Sequence, residues 1–169
     1  MLKIDPPPSR LYLFRHAKSG WAEPGQHDFD RTLDDQGYAE AELVCDRAAD
    51  RNYRPDMVIS STATRCRQTC DAVKRAFRDL PDPLYVDELY NGSLTTYLAL
   101  ASGQRLSRSV MIIGHNPVIE ELLLALVGND QMTASIGAGF PTAGFAVVDY
   151  SGSADGSPIE WTLTDFLRP

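Results

Sequence analysis

The 169-residue chain has only three cysteines and three histidines. It also has no apolar run near the roughly 20 residues that cross a bilayer. Cys45, Cys66 and Cys70 are odd in number, and all fall in segments that read as helix, which argues against a disulfide framework and predicts free thiols. Cys66 and Cys70 are spaced like half a metal site. No further Cys or His pair has zinc-ligand spacing, so neither a metal nor a cofactor is expected. Positive charge is in deficit, with a formal net charge of -7, and this disfavours nucleic acid as a partner. No loop of the Gly-x-x-x-x-Gly-Lys type is present. The opening MLKIDPPPSR lacks the apolar core of a secretory signal, so a cytoplasmic chain with no membrane segment is expected.

What is present reads as one domain. Hydrophobic residues at 43% and charged residues at 23% match ordinary globular usage, with no internal repeat. The domain is expected over residues 1–169, with 1–9 an extended arm, because the Pro6-Pro7-Pro8 run lacks the donors that a helix or central strand needs. Leu11 to Phe14, Asp56 to Ser60, Leu84 to Val86 and Ser109 to Ile113 read as strands. Between and after them, helices are predicted from Gly37 to about Ala49 with Ala39, Leu43 and Ala48 on the apolar face, along Cys66-Cys70-Val73-Phe77, and from Leu94 to Ala101. A last helix is expected with Asn116 as N-cap, Pro117 as first residue and Gly128 as stop. Residues 129–142 then read as loop. Gly144 to Tyr150 and Ile159 to Thr164 read as closing strands, joined as a hairpin across Ser151 to Pro158. Strands alternating with helices imply a three-layer α/β/α domain with a mainly parallel central sheet, whose ligands bind at the carboxyl ends of the strands.

Polar signatures follow three of these strands directly: Arg15-His16, Ser60 to Arg65, and Gly114-His115-Asn116. The fold would bring them to one sheet edge. A pair of arginines and a pair of histidines converging without a metal cage suits a dianion such as a phosphoryl group, since guanidinium forks match its oxygens. Arg65 would stand at a helix opening, where free N–H groups also favour an anion. Arg67, two residues on, points elsewhere and reads as solvated. A neutral imidazole is a competent nucleophile near pH 7, so one histidine could take the phosphoryl group covalently while charged donors stabilise the transfer. Adjacent strand residues face opposite ways, so Arg15 and His16 can share a pocket only if the chain turns there, as the small residues Ala17, Ser19 and Gly20 would allow.

These signatures resemble the histidine phosphatase superfamily, the phosphoglycerate-mutase-like branch, and within it the small bacterial phosphohistidine phosphatases of the SixA type. Arg15-His16 falls on the family's Arg-His signature, Ser60-Ser61-Thr62-Ala63-Thr64-Arg65 with Gln68-Thr69 on its second-arginine motif, and Gly114-His115-Asn116-Pro117 on its second-histidine motif. Arg31-Thr32-Leu33 with Gly37 resembles the segment that opens the first helix. The resemblance implies a phosphoglycerate-mutase-like fold and a metal-independent phosphatase. In it His16 is the nucleophile, Arg15 and Arg65 are phosphate ligands, and His115 is a charged phosphate-contacting histidine. Relatives take the leaving-group proton from a glutamate after the third strand, and Glu88 is the candidate here. Lys18 and Asn116 are further candidates for substrate contact, an exposed Lys18 being the competing reading. Ala17 stands where many relatives have glycine.

The implied substrate is a phosphorylated protein, such as a phosphohistidine domain, or a small phosphoester. The alternatives are a small-molecule phosphomonoesterase or mutase, and a phosphate- or phosphoprotein-binding module without turnover. His27 to Arg31, Tyr90 to Thr96 and the Gly137 to Gly144 loop are expected to line the pocket mouth. His27 itself, in Gln26-His27-Asp28, reads as solvated loop rather than metal ligand.

Overall fold

Alternating apolar side chains on the strands build the architecture. The structure, a computed structural model, describes residues 3–104, 108–152 and 160–169. Strand β1 (Arg10–Arg15) sends Tyr12 and Phe14 into one core and Leu11 and Leu13 into another on the opposite face. Strands β4 (Ser109–Gly114) and β5 (Phe145–Tyr150) split in the same way, Met111, Ile113, Phe145 and Val147 against Val110, Ile112, Ala146 and Val148. A sheet buried on both faces needs a helical layer on each side. Helices α1 (Asp35–Asp50) and α2 (Thr64–Ala76) cover the first face. The short α3 (Glu88–Asn91), α4 (Leu94–Ala101) and α5 (Val118–Ile136) cover the second. With β2 (Met57–Ser61), β3 (Leu84–Val86) and β6 (Trp161–Leu167), the sheet order is β3-β2-β4-β1-β5-β6. The first four strands in that order are parallel, β5 runs antiparallel to β1, and β6 runs antiparallel to β5 and so along the first four, so the expected three-layer α/β/α fold with a mainly parallel sheet is the fold observed.

Local expectations needed correction in two helices. The buried stripe of α1 is Gly37, Ala41, Val44, Cys45 and Ala48, whereas Ala39 and Leu43 face solvent. The spacing from Ala41 to Ala48 is the i, i+3, i+4, i+7 set of one helix face, which a 39-to-43 pairing misses. Gly37 is required where α1 opens, because a Cβ there would fall 2.0 Å from the Lys18 carbonyl oxygen. In α5, Pro117 rather than Asn116 holds the N-cap position, and Gly128 (φ 81, ψ 167) kinks the helix instead of ending it. Residues 129–136, expected as loop, therefore continue as helix. Tertiary contacts override the glycine: Ile136 is buried, Met132 packs on the core, and Gln131 bonds the backbone of Trp161 and Leu163 in β6. The β5–β6 pairing fits the expected hairpin, although most of its 151–158 link lies outside the described residues.

At the amino end, Ile4 is buried against the α4–α5 side, so the proline-containing arm is packed rather than free. Among the described residues, no helix is long and apolar enough to cross a membrane. Cys45, Cys66 and Cys70 are free and buried, and burial pushes the thiols of Cys66 and Cys70 up to about 12 and about 11. They are inert fillers of the α1–α2 core.

Candidate active site

Register places the histidines side by side. Arg15 of β1 pairs with Gly114 of β4, so His16 and His115 leave parallel strands together, with ring centroids 5.3 Å apart. Arg15 continues the Leu11–Leu13 face, and its Nη1 donates to the Phe140 carbonyl at 2.8 Å beyond α5. His16 opens the opposite face, and the next amide, Ala17 N, donates to Thr69 Oγ1 of α2 at 3.0 Å. The strand ends at Arg15 and the pocket lies over that end, which is how neighbours of opposite facing share it. Arg65, buried in the first turn of α2, closes the third side.

Together these residues line a cavity of about 390 Å³ with Lys18, Ser19, Asp28, Arg31, Tyr90, His115, Asn116 and their neighbours. His115 is fixed from below. Its amide donates to the Tyr97 hydroxyl at 3.2 Å, and that hydroxyl donates to the Leu89 carbonyl at 2.8 Å. Gly114 permits this arrangement, because a Cβ there would come within 2.5 Å of the Tyr97 oxygen.

Hydrogen bonding selects the tautomers. The Ala17 carbonyl can only accept, so His16 Nδ1, 2.7 Å away, carries the proton and Nε2 keeps a lone pair. A guanidinium can only donate, so His115 Nδ1, 3.4 Å from Arg65 Nη2, is the unprotonated nitrogen, and Nε2–H donates to Ser61 Oγ at 2.9 Å. Burial, followed by repulsion from His115, Arg65 and Arg15, pushes the His16 pKa down to about 3 against the help of the Ala17 carbonyl. Burial and then Arg65 bring His115 down to about 4. Burial and Arg65 both work against the charged His115 that the resemblance implies. A dianion beside it would oppose the Arg65 repulsion and favour its protonation.

A pH dependence of stability follows. Both folded pKa values lie below the ordinary 6.5, so in acid the unfolded chain binds protons first. Stability from this source is whole above about 6.5 and drains away as the pH falls toward about 4 for His115 and about 3 for His16. Thermal unfolding midpoints taken across that range should decline in the wild type, and less steeply in His16→Gln.

The remaining candidates divide. Asn116 lines the pocket, but its Nδ2 donates to Glu120 Oε2 and the Phe140 carbonyl, both at 3.1 Å, which makes it a brace for the segment holding Arg15. Lys18 stands at the rim, exposed, with Nζ 2.8 Å from Gln36 Oε1 and 3.7 Å from Asp34. Glu88 is not brought to the site: it is exposed at the start of α3 and lines a separate groove with Val86, Thr95 and Leu100. One turn of α3 carries Tyr90 to the pocket and leaves Glu88 behind. Arg67 is exposed, as expected, over the Tyr85 ring.

Sequence reasoning placed Asp28 and Tyr90 at the mouth but missed what they do. Asp28, in a 3-10 turn (Asp28–Asp30), gives Arg65 both its carbonyl oxygen, 2.8 Å from Nη1, and its carboxylate, 3.1 Å from Nη2. Tyr90 Oη donates to the same carboxylate at 2.6 Å, and Arg31 Nε donates at 2.8 Å. These bonds, the Tyr90 one foremost, hold the Asp28 carboxyl down to about 2. The spacing of Asp28 and Arg31 signalled only their own ion pair and gave no sign of Arg65 or Tyr90.

A family model described as the histidine phosphatase superfamily, branch 1, matches residues 11–90. The chain is 51% identical to a crystal structure from Agrobacterium tumefaciens assigned as the phosphohistidine phosphatase SixA, with a TM-score of 0.88 over 96% of this chain and 99% of that one. A structure from Nakamurella multipartitia, likewise assigned as SixA, is 28% identical with a TM-score of 0.72 over 95% of each chain. An uncharacterized protein of Mycobacterium tuberculosis is 33% identical over 163 residues, 92% of this chain and 99% of its own length.

Proposed function

The chain belongs to the histidine phosphatase superfamily and is a phosphatase, and from that premise we propose that it hydrolyses phosphohistidine on a protein through a phosphoryl group carried by His16. His16 Nε2 attacks phosphorus and the P–N bond to the substrate imidazole breaks. Arg15, Arg65 and His115 hold the equatorial oxygens, where charge is spread during transfer. Water then attacks the phosphohistidine, releasing phosphate and restoring the neutral ring. No step requires a metal, so turnover should persist in chelator.

One observation favours phosphohistidine over an ordinary ester. Asp28 is the only carboxylate among the described residues lining the pocket, and its bonds to Tyr90, Arg65 and Arg31 keep it ionised, unable to donate a proton. An alkoxide leaving group needs such a donor. A phosphohistidine ring already protonated on its second nitrogen takes the P–N electron pair and leaves as neutral imidazole, with no donor from the protein.

A protein substrate is favoured by the rim. Trp21, two residues from the pocket-lining Ser19, is 95% exposed within a segment, 21–25, whose residues all face solvent. Exposed tryptophan is a common anchor of protein contacts. The buried free thiols fit a reducing compartment, and the cytoplasm is the location we assign.

The test is leaving-group dependence. Across aryl phosphates of increasing phenol pKa, kcat/KM should fall steeply, with a phosphoramidate and a phosphohistidine protein above all of them. A flat series would mean that a proton donor is at work and that esters are the natural substrates.

A further inference from the structure

We propose that the Asp28 carboxylate is a resident rival of the phosphoryl group for Arg65, and that it keeps the pocket's hold on free phosphate weak. The inference rests on the phosphatase reading above and concerns how that site lets go of its product.

Both Nη groups of Arg65 are engaged by Asp28, Nη1 by the main-chain oxygen and Nη2 by the carboxylate. Its Nε is buried without a partner. Nη2 is also the nitrogen beside His115, with Nδ1 3.4 Å away, so a dianion seated between Arg65 and His115 lies next to a carboxylate already in place. That carboxylate does not give way easily, because Tyr90 Oη and Arg31 Nε hold it independently of Arg65. The two contacts to Arg65 have separable roles. The carbonyl positions the guanidinium and survives any substitution at 28, whereas the carboxylate adds negative charge beside the anion site.

This charge acts unequally along the reaction. Product phosphate carries its full dianionic charge, whereas the transferring group in a loose transition state is metaphosphate-like and less charged. A fixed carboxylate therefore opposes bound product, and bound substrate, more than it opposes the transition state. Only such a difference helps turnover, since interactions shared equally by both states do not. Asp28 is then a positioning residue through its carbonyl and a release device through its carboxylate.

The experiment measures inhibition by inorganic phosphate, with a phosphoramidate as substrate, in the wild type, Asp28→Asn and Asp28→Glu. Removing the charge should lower the phosphate inhibition constant by about tenfold, as expected for a like charge at the site edge. KM should fall with it while kcat does not rise, the pattern of removed ground-state strain. Asp28→Glu keeps the charge and should stay near wild type. An unchanged or raised inhibition constant in a folded Asp28→Asn would overturn the proposal and leave the carboxylate as a mere prop for Arg65. If neither the wild type nor Asp28→Asn turns over the phosphoramidate, the phosphatase reading fails and this proposal with it; if both turn it over and phosphate inhibits neither, the proposal alone fails.

Discussion

Replacing His16 with alanine should lower kcat for a phosphoramidate by about 10⁴-fold or more, the usual scale for losing a covalent nucleophile. No other ring can take over. His115 spends Nε2–H on Ser61 and turns Nδ1 toward Arg65, and its backbone is pinned by Tyr97. His27 is exposed at the N-cap of the 3-10 turn and does not line the cavity. Phosphate binding should survive within a few-fold of wild type, because Arg15, Arg65 and His115 remain. Parallel measurement of turnover and phosphate inhibition separates the two roles. Retention of more than about a hundredth of the wild-type rate would contradict nucleophilic attack by His16.

Replacing Arg65 with alanine should cost about 10² to 10³-fold in kcat/KM, the range for removing one preorganised donor from a transition state. The loss has two sources. The phosphoryl group loses Nη2, and the Asp28 carboxylate loses the partner that screens it from the pocket. Lysine should restore little, since a single ammonium cannot meet both the Asp28 carbonyl and its carboxylate as the guanidinium fork does. Steady-state kinetics on both variants, with circular dichroism to confirm folding, would check this. Recovery to within a few-fold of wild type by Arg65→Lys would mean that charge alone suffices.

Much of the site was legible because it depends on register rather than on side-chain detail. A strand read as Leu11–Phe14 and another as Ser109–Ile113 already put Arg15-His16 and Gly114-His115 just beyond matching ends, and parallel pairing turned that into adjacent imidazoles. The apparent obstacle, that Arg15 and His16 face apart, dissolved because each uses a different face of the same strand end. Glu88 misled because strand position fixes only where a segment begins. One turn of helix determined that Tyr90, not Glu88, points into the pocket. The Asp28 network was illegible for a different reason. Its partners Arg65 and Tyr90 lie 37 and 62 residues away, and no local pattern encodes that meeting. The same holds for α5, which runs past Gly128 because Met132 and Ile136 find core that the local sequence does not reveal.

The central claim is that phosphate passes through the protein on its way to water. The most direct test is the stereochemical course at phosphorus, using a substrate whose phosphoryl group is made chiral by oxygen isotopes. Transfer to His16 followed by attack of water is two in-line displacements and predicts net retention. Net inversion would mean that water attacks the substrate directly and would contradict the account.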